Sequence, residues 1–228
     1  MVDDVTINGL RKNETYPGLD DLIHDVKCKF GIKDKLDIDI VDDASSGPNM
    51  NVESKFRWKK DPNTLNTVLK ISRGMFNIIN FVENPDEMKS LIAHEVSHIK
   101  NEDDSISKKI IIIYAVLAII SAGIVMIAST CNLFLIFLDL VLIGICGARN
   151  FNWKRRKMET RADTDAVIKI GNPHAFQVAL KKIYIVEKDD PHYLKFAALL
   201  SVYNFIVGFS YPSIAERINN IEMWKPPR

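Results

Sequence analysis

The sequence predicts an α+β fold, mainly helical with a small β-sheet, interrupted by a hairpin of two transmembrane helices. Two adjacent apolar runs, 110–128 and 133–148, contain a single charged residue, Asp139. Before them, two short segments have the composition and alternation of strands, and segments on both sides have the periodicity of amphipathic helices. The 228 residues suffice for one domain of ordinary size with such an insertion.

The overall composition is that of an ordinary protein, with 47% hydrophobic and 26% charged residues, but the apolar residues are unevenly spread. The net charge of +1 gives no indication of a nucleic-acid partner. Cys28, Cys131 and Cys146 lack the pattern of a disulfide framework or a metal site, so we expect packing residues in a reducing compartment. Residues 1–18 are polar and lack the apolar segment of a signal peptide.

The elements before the hairpin follow from spacing and stop signals. Apolar residues recur at helical spacing over 18–31, and Gly31 is a plausible stop for that helix. The segments 36–41 and 65–72 read as strands. An Asn-Pro-Asp start at residue 84 predicts a helix that continues to about Asp103.

The two apolar runs predict membrane spans, each close to the roughly 20 residues that a span needs. Lys108 and Lys109 precede the hairpin, Arg149 and the basic segment 154–157 follow it, and the turn at 129–132 is uncharged. The excess of positive charge on cytoplasmic flanks places both flanks in the cytoplasm and the turn outside. The alternative is a helical hairpin buried in a soluble core, for which the rest of the chain looks too small.

This orientation assigns 1–107 and 150–228 to one cytosolic domain and 108–149 to a transmembrane hairpin inserted into it. The expected location is therefore the cell membrane, multi-pass, with both termini cytoplasmic. Asp139 lies near the middle of the second run, and we expect it to be protonated and bonded across the hairpin near Ser121, or to contact substrate or another span.

Further helices are predicted after the hairpin, at 154–170 and at 174–186. The next apolar segment, 194–209, is expected to pack on the core or lie at the membrane surface, with a third span as the alternative.

The segment His-Glu-Val-Ser-His at 94–98 lies on a predicted helix and carries the main functional signal. Positions i and i+4 share a helical face, so the imidazoles of His94 and His98 can bind one Zn²⁺. Glu95 is then placed to take a proton from a water activated by the zinc. The alternative is two surface histidines on a charged helix.

Glu159, on the helix after the hairpin, is the best candidate for the third ligand that catalytic zinc requires. Asp163 lies one turn further on the same face and could accept a hydrogen bond from a ligand histidine. On this spacing alone, a surface carboxylate is the alternative for Asp163. His98 lies ten residues before Lys108 and Glu159 ten residues after Arg149. Uninterrupted helices would therefore place both about 15 Å from the membrane.

Four features together resemble the HtpX-type membrane metalloproteases, which are relatives of the CAAX prenyl proteases. They are His-Glu-Val-Ser-His, the apolar hairpin, Glu-Thr-Arg-Ala-Asp at 159–163 and Tyr-Pro-Ser-Ile-Ala-Glu-Arg-Ile at 211–218. His-Glu-Val-Ser-His is shared by many zinc peptidases. The order of this motif, two spans and Glu-Thr-Arg-Ala-Asp is far more specific. The resemblance runs from about Leu19 to Ile221.

The resemblance implies a zincin-like metallopeptidase domain with one Zn²⁺ per chain. It implies an endopeptidase that faces the cytosol and cleaves misfolded or damaged membrane proteins. By this resemblance His94, His98 and Glu159 are the zinc ligands, Glu95 is the general base, and Asp163 orients a ligand histidine. The expected partners are protein or peptide substrates and the lipid bilayer.

Tyr211 and Arg217 are further catalytic candidates by resemblance. The family usually has His-Pro where this chain has Tyr211-Pro212, and Tyr211 could donate a hydrogen bond to the developing oxyanion. Arg217 matches an arginine of the family and would hold substrate or the carboxylates of the site. Asp103 is expected to be structural, and 65–72 is the candidate strand edge for an extended substrate. Packing and a surface ion pair are the alternatives for Tyr211 and Arg217.

Two other functions stay open at this stage. The first is a signalling protease that cuts one specific regulator, although the four-residue turn leaves almost no room for an extracellular sensing domain. The second is a catalytically silent scaffold that binds zinc, which the presence of all the metal-site residues does not support.

Overall fold

The structure is a computed structural model that describes residues 18–32, 36–41, 50–54, 67–80, 82–128, 133–188 and 212–223. Within these ranges it is mainly helical, with one small sheet. The helices are α1 (Leu19–Phe30), α2 (Arg73–Ile78), α3 (Pro85–Lys100), α4 (Asp103–Ala128), α5 (Leu133–Ile170), α6 (Pro173–Lys188) and α7 (Ile214–Met223). The strands are β1 (Leu36–Val41), β2 (Met50–Ser54) and β3 (Thr67–Ser72).

The sheet has the strand order β1-β3-β2. β1 runs parallel to β3, with Leu36 opposite Thr67, and β2 runs antiparallel to it, with Met50 opposite Ile71. The predicted strands at 36–41 and 65–72 are confirmed. The expectation that 65–72 offers an edge is wrong, because β2 forms from a polar segment and pairs with its second side. Among the described strands, β1 and β2 are the edges, and β2 packs against α3.

α3 lies at the centre of the packing and contacts α1, α5 and α6. Most of its apolar positions are buried, Ile92 and Val96 fully so, together with Phe176 of α6. Burial of such side chains stabilises a fold by about 1.5–3 kcal/mol each. The helix that carries the His-Glu-Val-Ser-His segment is therefore held on several sides, which fixes the direction of its polar face.

The predicted helix boundaries hold at most ends. α1 ends at Gly31, whose φ of 69° suits a residue without a Cβ. α5 ends before Gly171, also at positive φ, and α6 follows from Asn172, whose Oδ1 accepts the amide hydrogen of Ala175 at 3.0 Å. The apolar segment 194–209 lies outside the described residues.

The two helices that carry the candidate ligands differ in continuity. α5 runs unbroken for 38 residues from the apolar run through Glu159, so the segment predicted as a separate helix from residue 154 continues the span. The other connection is interrupted, because α3 ends at Lys100 and α4 begins at Asp103, with Glu102 at a φ of 56°. The expectation of an uninterrupted helix from His98 into the first run is therefore wrong.

α4 and α5 are both long and apolar enough to cross a membrane. Their apolar sections are almost entirely unburied, so the described part of the chain does not enclose them in a soluble core. Side chains such as Ile119 and Ile127 are largely exposed. Among the described residues no hydrogen bond joins Asp139 to Ser121, and the buried Oδ2 of Asp139 has no partner there. The expected bond across the hairpin is thus not formed.

Candidate metal site

Three side chains from two helices meet at one point. His94 and His98 lie one turn apart on α3, and Glu159 approaches them from α5. Nε2 of His94 lies 3.1 Å from Nε2 of His98 and 3.2 Å from Oε2 of Glu159. Nε2 of His98 lies 3.7 Å from Oε1 of Glu159. The three atoms that could bind a metal ion all lie within 4.8 Å of one another.

The second nitrogen of each imidazole bonds to a carboxylate. Nδ1 of His94 lies 2.9 Å from Oδ1 of Asp163, and Nδ1 of His98 lies 2.7 Å from Oδ2 of Asp103. An ionised carboxylate only accepts hydrogen bonds, so each Nδ1 is the donor. In the neutral rings both Nε2 atoms then carry a lone pair, and these lone pairs face each other and the carboxylate of Glu159.

This donor set fits a metal ion. Three electron-pair donors at such short separations repel one another unless a cation lies between them. Tetrahedral zinc with bonds of about 2.0–2.1 Å separates its ligand atoms by roughly 3.3 Å, which is close to the separations measured here. Carboxylates that hold the second nitrogen of a ligand imidazole are the usual companions of such sites.

Without a metal, protons take the place of the cation. Burial opposes the charge on His98, but hydrogen bonds with Asp103 and Glu159 outweigh it and raise its pKa to about 10. The pKa of His94 is raised in the same way, against burial, by Asp163 and Glu159. Burial alone would raise the pKa of Glu159, yet its bonds with the two histidines hold it far below its usual range. The site is therefore electrostatically arranged for positive charge.

Asp163 is held from α7 as well as from α5. Arg217 donates from Nε to Oδ2 at 2.8 Å and from Nη2 to Oδ1 at 2.6 Å, which forms a two-pronged ion pair. Burial acts to raise the pKa of Asp163, but His94 and Arg217 together lower it. Arg217 therefore contacts the carboxylate that bonds to His94. This is one of the two roles expected for it, the other being to hold substrate.

Asp103 does more than the structural role expected from the sequence. It accepts a hydrogen bond from His98 and forms an ion pair with Arg161 of α5. The contact depends on the break between α3 and α4, since a continuous helix would turn residue i+5 away from residue i. The predicted helix continued to about Asp103, so no sequence signal indicated this pairing.

Glu95 lies next to His94 and is half-buried. Burial raises its pKa, while the positive charges of His94 and His98 act in the opposite direction. A carboxylate with a raised pKa is a better proton acceptor near neutral pH than an exposed one.

A buried polar contact fixes α3 on α5 beside the metal cluster. Oγ of Ser97 donates to Oδ2 of Asp165 at 2.6 Å, and Nδ2 of Asn101 donates to the main-chain oxygen of Ser97 at 2.8 Å. The ring of Phe176 lies 6.1 Å from that of His94. Sequence reasoning did not identify Ser97 or Asp165, because nothing in their spacing links residues 68 positions apart.

The structure brings together His94, His98 and Glu159, with Asp163 and Arg217 beside them. Tyr211 lies outside the described residues, so its position relative to this cluster stays a prediction.

The profile of peptidase family M48 matches residues 70–225, well over half of the chain and the part that contains every candidate site residue. No curated protein and no solved structure gave a match in the corresponding comparisons. M48 is a family of metallopeptidases, which agrees with a cluster of two histidines and one glutamate that fits a metal ion. The chain therefore belongs to peptidase family M48.

Proposed function

We propose that the chain is a membrane-anchored, zinc-dependent endopeptidase of the HtpX type with a zincin-like catalytic domain. The observation that carries this proposal is the convergence of Nε2 of His94, Nε2 of His98 and the carboxylate of Glu159. In this proposal these three residues bind zinc, and Asp163 and Asp103 hold the two imidazoles in the tautomer that leaves Nε2 unprotonated.

Zinc, when bound, would act as a Lewis acid that acidifies a water molecule and polarises the scissile carbonyl. Glu95 then accepts a proton from the attacking water and returns it to the amine that leaves. Its raised pKa supports this exchange, because the carboxylate gains a proton more readily than an exposed glutamate would. Tyr211 remains a candidate donor to the developing oxyanion. Unchanged turnover of Tyr211→Phe, at equal metal content, would remove that role.

α4 and α5 would anchor this site in the membrane. Both helices are apolar and exposed, and basic residues lie at their ends near the catalytic part. Glu159 follows the last apolar residue, Ala148, by eleven positions, which on a continuous helix is about 16 Å. The two halves of the chain, 1–107 and 150–228, would share the cytosolic side and leave 108–149 as the hairpin. A site so close to the bilayer favours misfolded or damaged membrane proteins as substrates.

The sheet edge nearest α3 is β2, which packs against that helix and has only β3 as a strand neighbour in the described part of the sheet. An extended substrate could add to such an edge through main-chain hydrogen bonds. The proposed substrate strand is therefore β2 rather than the central strand β3.

The test is proteolysis of casein, and of an unfolded membrane protein, by the purified chain in detergent with zinc. Wild type and Glu95→Ala are compared at measured metal content, with Glu83→Ala, an exposed glutamate before α3, as the matched control. We expect cleavage by the wild type and the control, none by Glu95→Ala, and one metal ion in each. A folded wild-type chain that binds no metal would refute the proposal. Bound zinc without cleavage of either substrate would favour a scaffold, or a protease that recognises one regulator.

A further inference from the structure

An open groove of about 570 Å³ lies along α5 where the helix leaves its apolar section. All its lining residues belong to this one helix: Trp153, Arg156, Lys157, Thr160, Arg161, Thr164 and Asp165. The groove begins with the ring of Trp153, which is 50% exposed.

The charges in the groove are unevenly neutralised. Arg156 pairs with Glu216 at 2.6 Å, and Arg161 pairs with Asp103. The ammonium group of Lys157 lies 3.7 Å from the centre of the Trp153 ring, and no described carboxylate forms an ion pair with it.

One cation of the groove, Lys157, is therefore left to bind an anion. The negative group in the lining, Asp165, is already engaged, since it accepts the hydrogen bond from Ser97.

The depth of the groove indicates where this anion comes from. Trp153 follows Ala148 by five positions, which is about 7.5 Å along α5. The headgroup layer extends about 5–8 Å beyond the hydrocarbon core on each side. Helical side chains lean toward the N-terminus of their helix, which for this part of α5 is the membrane end. Lys157 follows that rule and carries its charge back to the level of Trp153.

We propose that the membrane end of the groove, at Trp153 and Lys157, binds the phosphate of an anionic phospholipid in the leaflet next to the metal site. Lys157 would bind the phosphate, and the indole of Trp153 would pack against the glycerol backbone, as aromatic rings do at membrane interfaces. This inference rests on the proposed membrane anchoring, but it does not depend on peptidase activity.

The experiment uses the full chain with Trp58→Phe and Trp224→Phe, which leaves Trp153 as the single tryptophan. The protein is reconstituted in phosphatidylcholine bilayers that contain a minor fraction of brominated phosphatidylglycerol or, in parallel, of brominated phosphatidylcholine. Quenching of Trp153 fluorescence reports which lipid lies against the groove. We expect about fivefold enrichment of the anionic lipid, the preference that one lysine near a membrane surface provides.

Lys157→Gln should reduce this preference to a small residual value, and Lys157→Arg should retain it. The matched control is Lys154→Gln, which removes the same charge beside the same indole, at 5.3 Å, but outside the groove lining. An equal loss in Lys154→Gln and Lys157→Gln would show general surface attraction and overturn the groove site. Displacement of the lipid by inorganic phosphate would instead identify a site for the free anion and overturn the lipid.

The same measurement separates this inference from the proposed anchoring. Equal quenching by both brominated lipids would place Trp153 at the bilayer but reject the headgroup site. No quenching by either lipid would place Trp153 away from the membrane and reject both. The substitutions avoid Arg161, because its pairing with Asp103 ties it to the metal cluster.

Discussion

The ring of Tyr114 on α4 packs directly over Gly147 on α5. A Cβ at Gly147 would lie 2.9 Å from two carbon atoms of this ring, closer than real contacts allow. One turn further, Nδ2 of Asn150 donates a hydrogen bond to the hydroxyl of Tyr114 at 3.0 Å. The two contacts fix the position of α4 along the axis of α5, that is, the register of the two helices. Since α4 begins at Asp103, the partner of His98, this register also reaches the metal cluster.

Gly147→Val should destabilise the protein by forcing these helices apart. Overpacking of this kind costs about 1–3 kcal/mol, measurable as a lower thermal unfolding midpoint in detergent. Gly144→Val is the control on the same helix, because a Cβ there meets no atom within 4 Å. Removing the Tyr114 ring should relieve the clash. We therefore expect the double variant Gly147→Ala with Tyr114→Ala to be more stable than Gly147→Ala alone. Equal midpoints for the Gly144 and Gly147 variants would show that the contact does not set the helix register.

Asp103→Asn should weaken metal binding. The carboxamide keeps an oxygen acceptor but loses the charge that polarises His98, and loss of such a partner typically lowers metal affinity about 10–100-fold. Competition with a chromogenic zinc chelator measures the change. The neighbouring Asp104→Asn is the matched control, since Asp104 pairs with Lys108 at 2.7 Å. An unchanged affinity in Asp103→Asn would leave Asp103 with a purely structural role.

Arg217→Lys tests whether Arg217 acts on Asp163 or on substrate. Lysine keeps the positive charge but cannot form the two-pronged contact with Asp163. Because Asp163 holds His94, we expect lower zinc affinity and lower kcat with little change in KM. A raised KM at unchanged zinc affinity would show instead that Arg217 contacts substrate.

The metal-free protein should lose stability as the pH rises above neutral. The pKa of His98 is raised to about 10 in the folded chain, whereas an unfolded histidine has a pKa of about 6.5. Protonation of His98 therefore favours the folded state fully below about pH 6.5, and this contribution disappears as the pH rises through about 10. Glu159 and Asp163 have lowered pKa values, so their contributions are lost only in acid.

The measurement is the thermal unfolding midpoint of the chelator-treated chain between neutral pH and about pH 10. His98→Gln should show a much smaller fall over the same range. With zinc, the trend should reverse, because the ligands must lose their protons before the metal binds, so zinc affinity rises with pH. A zinc affinity independent of pH would contradict the assignment of His98 as a ligand.

Much of the architecture could be predicted from the sequence because the signals are local. The helix of His94 and His98, the strands at 36–41 and 65–72 and the apolar runs all follow from spacing within a few residues of the chain. The i, i+4 spacing of the two histidines alone requires them to share one face of a helix. Glu159 could be predicted for a related reason. On the unbroken α5, its distance from the membrane follows from the number of residues between them.

Other features depended on contacts that no local pattern records. β3 became the central strand because β2, from a polar segment, paired with its second side. Main-chain hydrogen bonds of this kind need no apolar alternation, so the sequence gives little sign of them.

By itself, the sequence identified the candidate metal ligands, the positions of most of the long helices and the two apolar segments. Only the tertiary structure decided which imidazole each carboxylate holds, Asp163 holding His94 and Asp103 holding His98, and which carboxylate Arg217 pairs with. The physical reason is that periodicity acts within one element, whereas these partners lie on different elements. A break of two residues between α3 and α4, and the packing of α7 beside α5, determine which charges meet.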